Sequence, residues 1–214
     1  MKIAAVIPAR MESSRFPGKP MADILGMPMI GHCYKRAELS DLIDLVYVET
    51  CNNVIFDYIK SIGGNVVMTS NSHERACDRA AEAMLKIEEK HSIKIDILLM
   101  MQGDEPMVTP RIIKAALNPL INDKNINISN LYKEINTVEE FEDPNEVKVI
   151  LDNNGYAIYF SREPIPSRKK GFLDVPMYKQ ICTIPFRREY LLEFNSMKQT
   201  QLEIIESIDM NRII

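Results

Sequence analysis

Three cations lie close together near the amino terminus of this chain, in a segment whose residue types suit an anion. Arg10, Arg15 and Lys19 are interleaved with two serines and with Gly18, which lets backbone N–H groups approach a ligand. Such a segment can bind a polyphosphate, or it can be a solvated basic loop. It contains neither G-x-x-x-x-G-K-[ST] nor G-x-G-x-x-G, so P-loop kinases and dinucleotide dehydrogenases lose most of their support.

A carboxylate that could bind a metal ion follows a strongly apolar run later in the chain. Residues 95–101 predict a buried strand, and the sequence then reads Gln102-Gly103-Asp104-Glu105-Pro106. An aspartate directly after a buried strand is placed where a nucleotide-binding sheet holds Mg²⁺, although turn aspartates also accept hydrogen bonds from backbone N–H groups. The basic loop at the same edge of the sheet favours the metal-binding role of Asp104.

The elements that must position these residues alternate between strand and helix. Residues 2–7 are a short apolar run that Pro8 ends, so the basic loop leaves the carboxyl end of a strand. Residues 45–50 and 66–69 predict further strands. Three amphipathic helices are predicted: one over residues 28–40, one that begins after Asn52 and stops at Gly63-Gly64, and one that follows the segment 69–79 and runs to about Lys90. This alternation predicts an α/β fold with a Rossmann-like, doubly wound mixed sheet, whose ligands bind at the carboxyl ends of the strands.

The second half of the chain has weaker patterns. Residues 126–135 predict a strand, and Asn154-Gly155 between two β-rich runs predicts a hairpin. Arg168-Lys169-Lys170 is either a solvated connection or a second anion site. The last predicted helix covers residues 200–210, with three apolar residues facing inward: Leu202, Ile205 and Ile208.

Composition limits the class of protein. The chain has 214 residues, of which 46% are hydrophobic and 26% charged, so we expect one domain over residues 1–214. A net charge of −4 argues against nucleic-acid and anionic-membrane partners. The scattered cysteines favour free thiols over a disulfide framework or a zinc site. No run of 18 apolar residues or secretory signal is present, so we expect a cytoplasmic protein.

Two of these segments resemble one enzyme family. The strings Ile7-Pro8-Ala9-Arg10 and Ser13-Ser14-Arg15-Phe16-Pro17-Gly18-Lys19-Pro20 are similar to the nucleotide-binding loop of the 3-deoxy-manno-octulosonate cytidylyltransferases, or CMP-KDO synthetases. The string from Gln102 to Pro106 matches the second signature of the family at every position. The resemblance implies a fold of the nucleotide-diphospho-sugar transferase type, in which Pro8, Ala9 and Gln102 bind the nucleotide. It also implies that Arg10, Arg15 and Lys19 hold the phosphates of CTP, and that Asp104 holds Mg²⁺ against the α-phosphate.

A third segment resembles the family stretch T-x-x-D-H-x-S-G-T-E-R-x-A-E only in part. This chain keeps Thr69, His73 and Arg79, which the resemblance places around the nucleotide. Four other positions depart from it, since Arg75, Ala76, Cys77 and Asp78 replace Ser, Gly, Thr and Glu. The resemblance therefore supports the predicted contacts to the base less strongly than the predicted contacts to the phosphates.

The resemblance also implies where an acidic sugar binds. The resemblance implies that four residues contact the acceptor: Arg162, Tyr178, Gln180 and Glu203. It also implies that the region around residues 144–162 forms an arm used in a homodimer. Gln180 stands where the family usually has a histidine, which leaves the identity of the acceptor open. A family motif, V-D-T-P-E-D-L, whose aspartate is the second metal-binding carboxylate, is not among these 214 residues.

These observations lead to one expected function and two alternatives. The expected enzyme transfers the cytidylyl group of CTP to a 3-deoxy-2-ulosonic acid and releases pyrophosphate, a reaction catalysed by positioning and charge neutralisation. One alternative keeps this chemistry with another acceptor, such as an amino-sugar acid or a phosphonate. The other is a nucleotide-binding paralogue without turnover. The three histidines and the absence of a nucleophile elbow give no support to a hydrolase triad.

Overall fold

Eleven strands and seven α-helices form within residues 1–12, 16–73, 75–171 and 174–214, the residues that the computed structural model describes. The strands are β1 (Ile3–Pro8), β2 (Asp23–Ile24), β3 (Met27–Pro28), β4 (Leu45–Thr50), β5 (Val66–Met68), β6 (Ile97–Met101), β7 (Leu131–Glu134), β8 (Lys148–Leu151), β9 (Ala157–Ser161), β10 (Tyr178–Ile181) and β11 (Thr183–Arg187). The α-helices are α1 (Met29–Glu38), α2 (Asn53–Ser61), α3 (Ala76–His91), α4 (Pro110–Asn122), α5 (Val138–Glu142), α6 (Arg188–Ser196) and α7 (Gln201–Glu206). Two short 3-10 helices cover Lys19–Met21 and Asp209–Arg212.

These elements divide into two compact units. The first unit contains residues Met1–Ser129 and Cys182–Asn195, and the second contains Asn130–Ile181 and Ser196–Ile214. Both units fall inside the single domain that the sequence predicts, and that domain assignment stays a prediction. Within the described ranges, no helix combines the length and the apolar character that crossing a bilayer requires.

The first unit is built on a five-stranded mixed sheet with the order β11-β6-β1-β4-β5. Strand β1 pairs in parallel with β4 and β6, β4 pairs in parallel with β5, and only the edge strand β11 is antiparallel. Every residue of β1 and of β6 is buried, as expected for central strands covered on both faces. The α/β fold with a doubly wound mixed sheet is therefore confirmed.

The parallel register brings the ends of β1, β4 and β6 to one edge of this sheet. Val6 is level with Tyr47 on one side and with Met100 on the other. The segments that follow Pro8 and Met101 consequently leave the sheet side by side. This is the edge at which open α/β sheets bind ligands.

The second unit has its own sheet, with the order β7-β10-β8-β9 and antiparallel pairing throughout. The predicted hairpin is confirmed, and Gly155 at its turn has a φ of 85°, a conformation that favours glycine. Strand β7 is shorter than predicted, since only Leu131–Glu134 of residues 126–135 is in the strand.

The prediction for helix α7 was wrong about which face is buried. Leu202 and Ile205 are 48% and 75% exposed, whereas Glu203 and Glu206 are buried, and of the three predicted inward residues only Ile208 is buried. The two carboxylates find partners inside the unit, as described below. Polar pairing, rather than apolar burial, therefore orients this short helix.

Candidate nucleotide-binding site

A cavity of about 310 Å³ opens at the carboxyl edge of the first unit's sheet. Seven of the residues predicted to bind nucleotide or phosphate line it: Pro8, Ala9, Arg10, Lys19, Arg79, Gln102 and Asp104. Glu12 and Gly103 also line it and were not predicted. Arg15 lies outside the described residues, and its role stays a prediction.

The segment after β1 is held in place by backbone and side-chain hydrogen bonds. Ala9 N donates to Glu49 O at 2.9 Å, which extends the pairing of β1 with β4 by one residue. Asn52 Oδ1 accepts from Met11 N at 2.9 Å, and Asn52 Nδ2 donates to Glu12 Oε1 at 3.1 Å. The hydrogen bond from the Asn52 side chain lowers the pKa of Glu12 and so favours its charged form. Arg10, between these anchors, is exposed.

Glycine is required where the segment after β6 passes β1. A Cβ at residue 103 would lie 2.7 Å from the backbone oxygen of Pro8, which is too close for any other residue type without movement of the backbone. The small residue therefore lets the two strand ends approach each other. Asp104 follows directly and reaches the cavity for this reason.

Lys19 and Asp104 form an ion pair at the cavity. Lys19 Nζ lies 2.6 Å from Asp104 Oδ2, and the two side chains are 37% and 44% exposed. The 3-10 helix that carries Lys19 starts after Gly18, whose φ of 75° is in the left-handed region. Because the pair is half exposed, both groups remain accessible to a ligand that enters the cavity.

The donor set in the cavity fits Mg²⁺ better than a transition metal. Among the described residues, no group of three or more His, Cys, Asp and Glu side chains is arranged to hold a metal ion. Mg²⁺ usually takes one or two carboxylates together with phosphate oxygens and water. Asp104, with cationic side chains nearby, can supply one such carboxylate to an ion that arrives with a polyphosphate.

A buried carboxylate that the sequence analysis missed lies behind the cavity. Glu49 on β4 is fully buried, and its two oxygens accept hydrogen bonds from Thr69 Oγ1 and, at 3.2 Å, from Arg79 Nε. Burial raises the pKa of Glu49, while both hydrogen bonds and the guanidinium charge act in the opposite direction. The sequence signal for Glu49 was a single acidic residue in a strand that is mostly apolar.

His73 is held by a carboxylate on α3. His73 Nε2 is 2.6 Å from Glu82 Oε2, which also accepts from Ser70 N at 3.0 Å, and Lys86 Nζ lies 2.7 Å from the other Glu82 oxygen. Burial raises the pKa of Glu82, but these partners outweigh it and the pKa is lowered. Neither His73 nor Thr69 is among the described residues that line the cavity, and their roles in nucleotide binding stay predictions.

Comparison with known proteins identifies the family of this chain. A family model described as cytidylyltransferase matches residues 4–214. The 3-deoxy-manno-octulosonate cytidylyltransferase of Geobacter metallireducens is 38% identical over 224 residues, covering 100% of this chain and 86% of the relative. The enzyme of the same name from Thermodesulfovibrio yellowstonii is 38% identical over 221 residues, with 100% and 86% covered. This chain belongs to the 3-deoxy-manno-octulosonate cytidylyltransferase family.

Solved structures extend the comparison to the fold. A structure of CMP:2-keto-3-deoxy-manno-octonic acid synthetase complexed with CTP matches this chain with a TM-score of 0.89 at 34% identity, covering 100% of this chain and 85% of that chain. A cytidylyltransferase from Leptospira borgpetersenii matches with a TM-score of 0.60 at 18% identity, covering 99% and 72%, and is similar in fold alone.

Two of the predicted acceptor residues of this cytidylyltransferase lie on β10 in the second unit. Gln180 Nε2 donates to Asn130 Oδ1 at 2.7 Å, and the ring of Tyr178 packs against that of Tyr132 with centroids 4.9 Å apart. Both side chains are partly exposed. Their contact with an acceptor stays a prediction.

The other two predicted acceptor residues take part in hydrogen bonds within the second unit. Arg162 Nε donates to the backbone oxygen of Glu206 at 2.8 Å, and Arg162 Nη1 donates to Pro144 O at 2.9 Å. Glu203 is fully buried, and its carboxylate accepts from Arg212 Nε at 2.8 Å. The structure thus gives Glu203 a structural partner, and its role toward the acceptor remains a prediction.

Proposed function

We propose that this family member transfers the cytidylyl group of CTP to an acidic sugar, 3-deoxy-manno-octulosonate or a related ulosonic acid, and releases pyrophosphate. The observation that carries the proposal is that Arg10, Lys19 and Asp104 line one cavity at the carboxyl edge of the sheet. Sequence identity of 38% to enzymes named for this reaction supports the choice of substrates.

In the proposed reaction the anomeric hydroxyl oxygen of the acceptor attacks the α-phosphorus of CTP in line. The bond between the α-phosphorus and its bridging oxygen breaks, pyrophosphate leaves, and the proton of the attacking hydroxyl is released to solvent. Arg10 and Lys19 bind phosphate oxygens and offset the negative charge on the leaving group. Arg15 is expected to contribute a further cation.

Asp104 is the residue of this chain that would hold Mg²⁺. The ion, when bound, supplies positive charge to the phosphate oxygens. Lys19 neutralises Asp104 in the free protein through the 2.6 Å ion pair. Asp104 therefore has a charged partner both before and after an ion binds.

The test is pyrophosphate release from CTP and Mg²⁺ with a panel of acceptors. We expect release with 3-deoxy-manno-octulosonate. Release only with amino-sugar acids or phosphonates would favour the second candidate function, which Gln180 on β10 motivates. Binding of CTP without release from any acceptor would favour a paralogue without turnover.

We also propose that the protein acts as a homodimer, with the β8–β9 hairpin in the interface. Tyr156 and Ile158 at this hairpin are 64% and 52% exposed, and such side chains favour association. Sedimentation equilibrium is the measurement, and a mass of one chain at micromolar concentration would contradict the proposal. The expected cytoplasmic location remains a prediction from the sequence.

A further inference from the structure

Lys148 is a charged residue in the core of the second unit, and the proposed reaction gives it no role. It is the first residue of β8, and its side chain has no exposed surface. Within the described ranges Lys148 forms no ion pair, and its Nζ donates instead to two backbone oxygens, those of Asp143 at 2.7 Å and Glu146 at 2.6 Å. A buried cation that lacks a carboxylate partner is costly. A methionine would fill the same space without this cost, so the charged group of Lys148 requires an explanation.

The two oxygens that accept from Lys148 belong to the turn of residues 143–146, which connects α5 to β8. The side chain of Asp143 accepts from Asn145 N at 2.8 Å and from Asn145 Nδ2 at 2.9 Å. Glu146 N donates to Asp143 O at 3.2 Å. Because Nζ bonds the first and the last carbonyl group of the turn, Lys148 is the residue that ties both ends of the turn to the sheet.

The same turn holds the side chain of Arg162. Arg162 follows β9 directly, and Ser161 before it is level with Lys148 on the neighbouring strand. Pro144 O, inside the turn, accepts from Arg162 Nη1 at 2.9 Å, and Glu206 O accepts from Arg162 Nε at 2.8 Å. Nη2 has no hydrogen-bond partner in the described part of the chain, and it is not among the buried atoms that lack one. Two of the three guanidinium nitrogens are therefore fixed, and the third remains accessible.

The contacts of Arg162 leave its positive charge available to a ligand. Both groups that hold its guanidinium are backbone oxygens, and within the described ranges it forms no ion pair. The carboxylate of Glu206 accepts from the backbone N of Arg162, at 2.8 Å, rather than from the guanidinium. A guanidinium that is oriented by uncharged oxygens can donate from Nη2 to a carboxylate, and an acidic sugar carries one.

We propose that Lys148 is a positioning residue for the acceptor. It fixes the turn of residues 143–146, this turn fixes Arg162, and Arg162 then presents Nη2 to the acceptor in one orientation. The inference rests on the proposed function, because it requires an acidic sugar beside Arg162. It adds a residue that is too deeply buried to touch any ligand. A role in stability alone is the competing explanation, and it predicts no selective effect on the acceptor.

The experiment measures steady-state pyrophosphate release by the full chain with 3-deoxy-manno-octulosonate, CTP and Mg²⁺, and each substrate is varied in turn. Lys148→Met keeps the length of the side chain but removes its charge and its donors. We expect KM for the acceptor to rise roughly tenfold, as for the loss of one hydrogen bond to a charged group, while kcat and KM for CTP stay within about twofold. A lower Tm with an unchanged KM for the acceptor would show a role in stability alone and would overturn the proposal.

Asp143→Ala is a second variant, which loosens the turn and leaves the buried lysine in place. It removes the carboxylate that holds Asn145, and it changes a partly exposed residue, so the core is not disturbed. Loosening of the turn should again raise KM for the acceptor, by roughly three- to tenfold. Loss of a negative charge by itself would instead lower KM for an anion. An unchanged or lower KM would therefore overturn the proposal, even if Lys148→Met does not fold.

Lys179→Met is the matched control. Lys179 is level with Lys148 on the neighbouring strand β10, and its side chain is 15% exposed. Its Nζ pairs with the carboxylates of Glu140 at 2.7 Å and Glu146 at 3.0 Å, rather than with backbone oxygens of the turn. We expect KM for the acceptor to stay within about twofold in this variant. An equal rise in both lysine variants would show a general effect on the sheet, and the specific role of Lys148 would be rejected.

A double-mutant cycle tests whether Lys148 acts through Arg162. Arg162→Lys keeps a positive charge but lacks the planar group that the two backbone oxygens orient, so it should raise KM for the acceptor by itself. Adding Lys148→Met to Arg162→Lys should then change KM by no more than about twofold. Effects that multiply independently, or a wild-type KM in Arg162→Lys, would contradict the inference. A wild type that releases no pyrophosphate with 3-deoxy-manno-octulosonate or a related ulosonic acid would overturn the proposed function itself.

Discussion

Lys19 and Asp104 are 85 residues apart in the sequence, yet their side chains meet at 2.6 Å. A half-exposed ion pair of this kind contributes at most about 1 kcal/mol to stability, because water competes for both charges. A triphosphate carries more negative charge than one carboxylate and can therefore replace Asp104 as the partner of Lys19 at little cost. This exchange would free Asp104 for a metal ion.

Substitution of Lys19 tests its role at the level of one residue. Lys19→Ala should lower kcat/KM for CTP by roughly 10- to 100-fold, since a charged hydrogen bond to phosphate is lost. Lys35→Ala is the control, because Lys35 also forms an exposed pair, with Glu38 at 2.9 Å, but lies on α1 away from the cavity lining. Steady-state kinetics give kcat/KM for CTP in both variants, and equal values would contradict a phosphate-binding role of Lys19.

The sequence was informative about residues that belong to contiguous motifs. Arg10, Lys19, Gln102 and Asp104 follow strand ends, and the ends of parallel strands meet at one edge, so their convergence could be predicted. Glu49 could not be found in the same way. Its partners are 20 and 30 residues away in the sequence, and only the folded chain shows that they surround it.

Helix α7 shows how apolar periodicity fails to predict the buried face of a short helix. Two pairs of residues in this helix are spaced three apart: Leu202 with Ile205, and Glu203 with Glu206. The spacing alone therefore does not decide which pair is buried. The glutamates face inward because β9 and the 3-10 helix at Asp209–Arg212 supply hydrogen-bond donors to them. These donors lie outside the helix, 9 and 45 residues from the glutamates they bind, so the periodicity of the helix does not show them.

Glu206 should therefore stabilise the second unit more than the apolar residues of its own helix. Its carboxylate accepts from Tyr159 Oη at 2.6 Å, Ser161 Oγ at 2.8 Å and Arg162 N at 2.8 Å. We expect Glu206→Ala to lower the free energy of unfolding by about 2–4 kcal/mol, because buried Ser161 and the partly buried Tyr159 and Arg162 lose their acceptor. Leu202→Ala should change it by no more than about 0.5 kcal/mol. Urea denaturation gives the free energy of unfolding of both variants, and a larger decrease for Leu202→Ala than for Glu206→Ala would contradict the described packing.

The ion pair between Glu88 and Arg188 joins α3 to the start of α6 and gives a pH-dependent prediction. Hydrogen bonds from Arg188, at 2.7 and 2.8 Å, lower the pKa of Glu88 against the opposing effect of burial. A carboxylate with a lowered pKa in the folded state stabilises the protein above its unfolded pKa, and this contribution is lost as the pH falls.

Glu88→Gln should accordingly reduce the free energy of unfolding by about 2 kcal/mol at pH 7. The difference from wild type should shrink as the pH falls below 4.5, the ordinary pKa of glutamate. Urea denaturation at pH 7 and at acidic pH measures both values. A difference that is independent of pH would show that Glu88 acts through packing rather than through its charge.

In the whole molecule, the parallel direction of the strands in the first unit follows from the alternation of strand and helix, whereas the sheet of the second unit does not. Alternation predicts that β1, β4, β5 and β6 run parallel in one sheet, but it does not predict that β6 lies beside β1 rather than beside β5. In the second unit β10 pairs with both β7 and β8. The residue patterns of β7 and β8 do not show that β10 is their partner. The sequence predicted its hairpin, where the turn residues are local, but not a separate sheet.

Binding of CTP should stabilise the folded chain in a way that depends on Mg²⁺ and Asp104 together. Free ligand at about one hundred times its dissociation constant adds about 2.7 kcal/mol to the free energy of unfolding. Thermal denaturation should therefore show a higher Tm with CTP, and a further rise with Mg²⁺ in the wild type. Asp104→Asn removes the carboxylate charge at nearly constant size, so it should keep part of the CTP effect and lose most of the Mg²⁺ effect. If Mg²⁺ raised the Tm of the CTP complex equally in wild type and variant, another group of the chain would have to hold the ion.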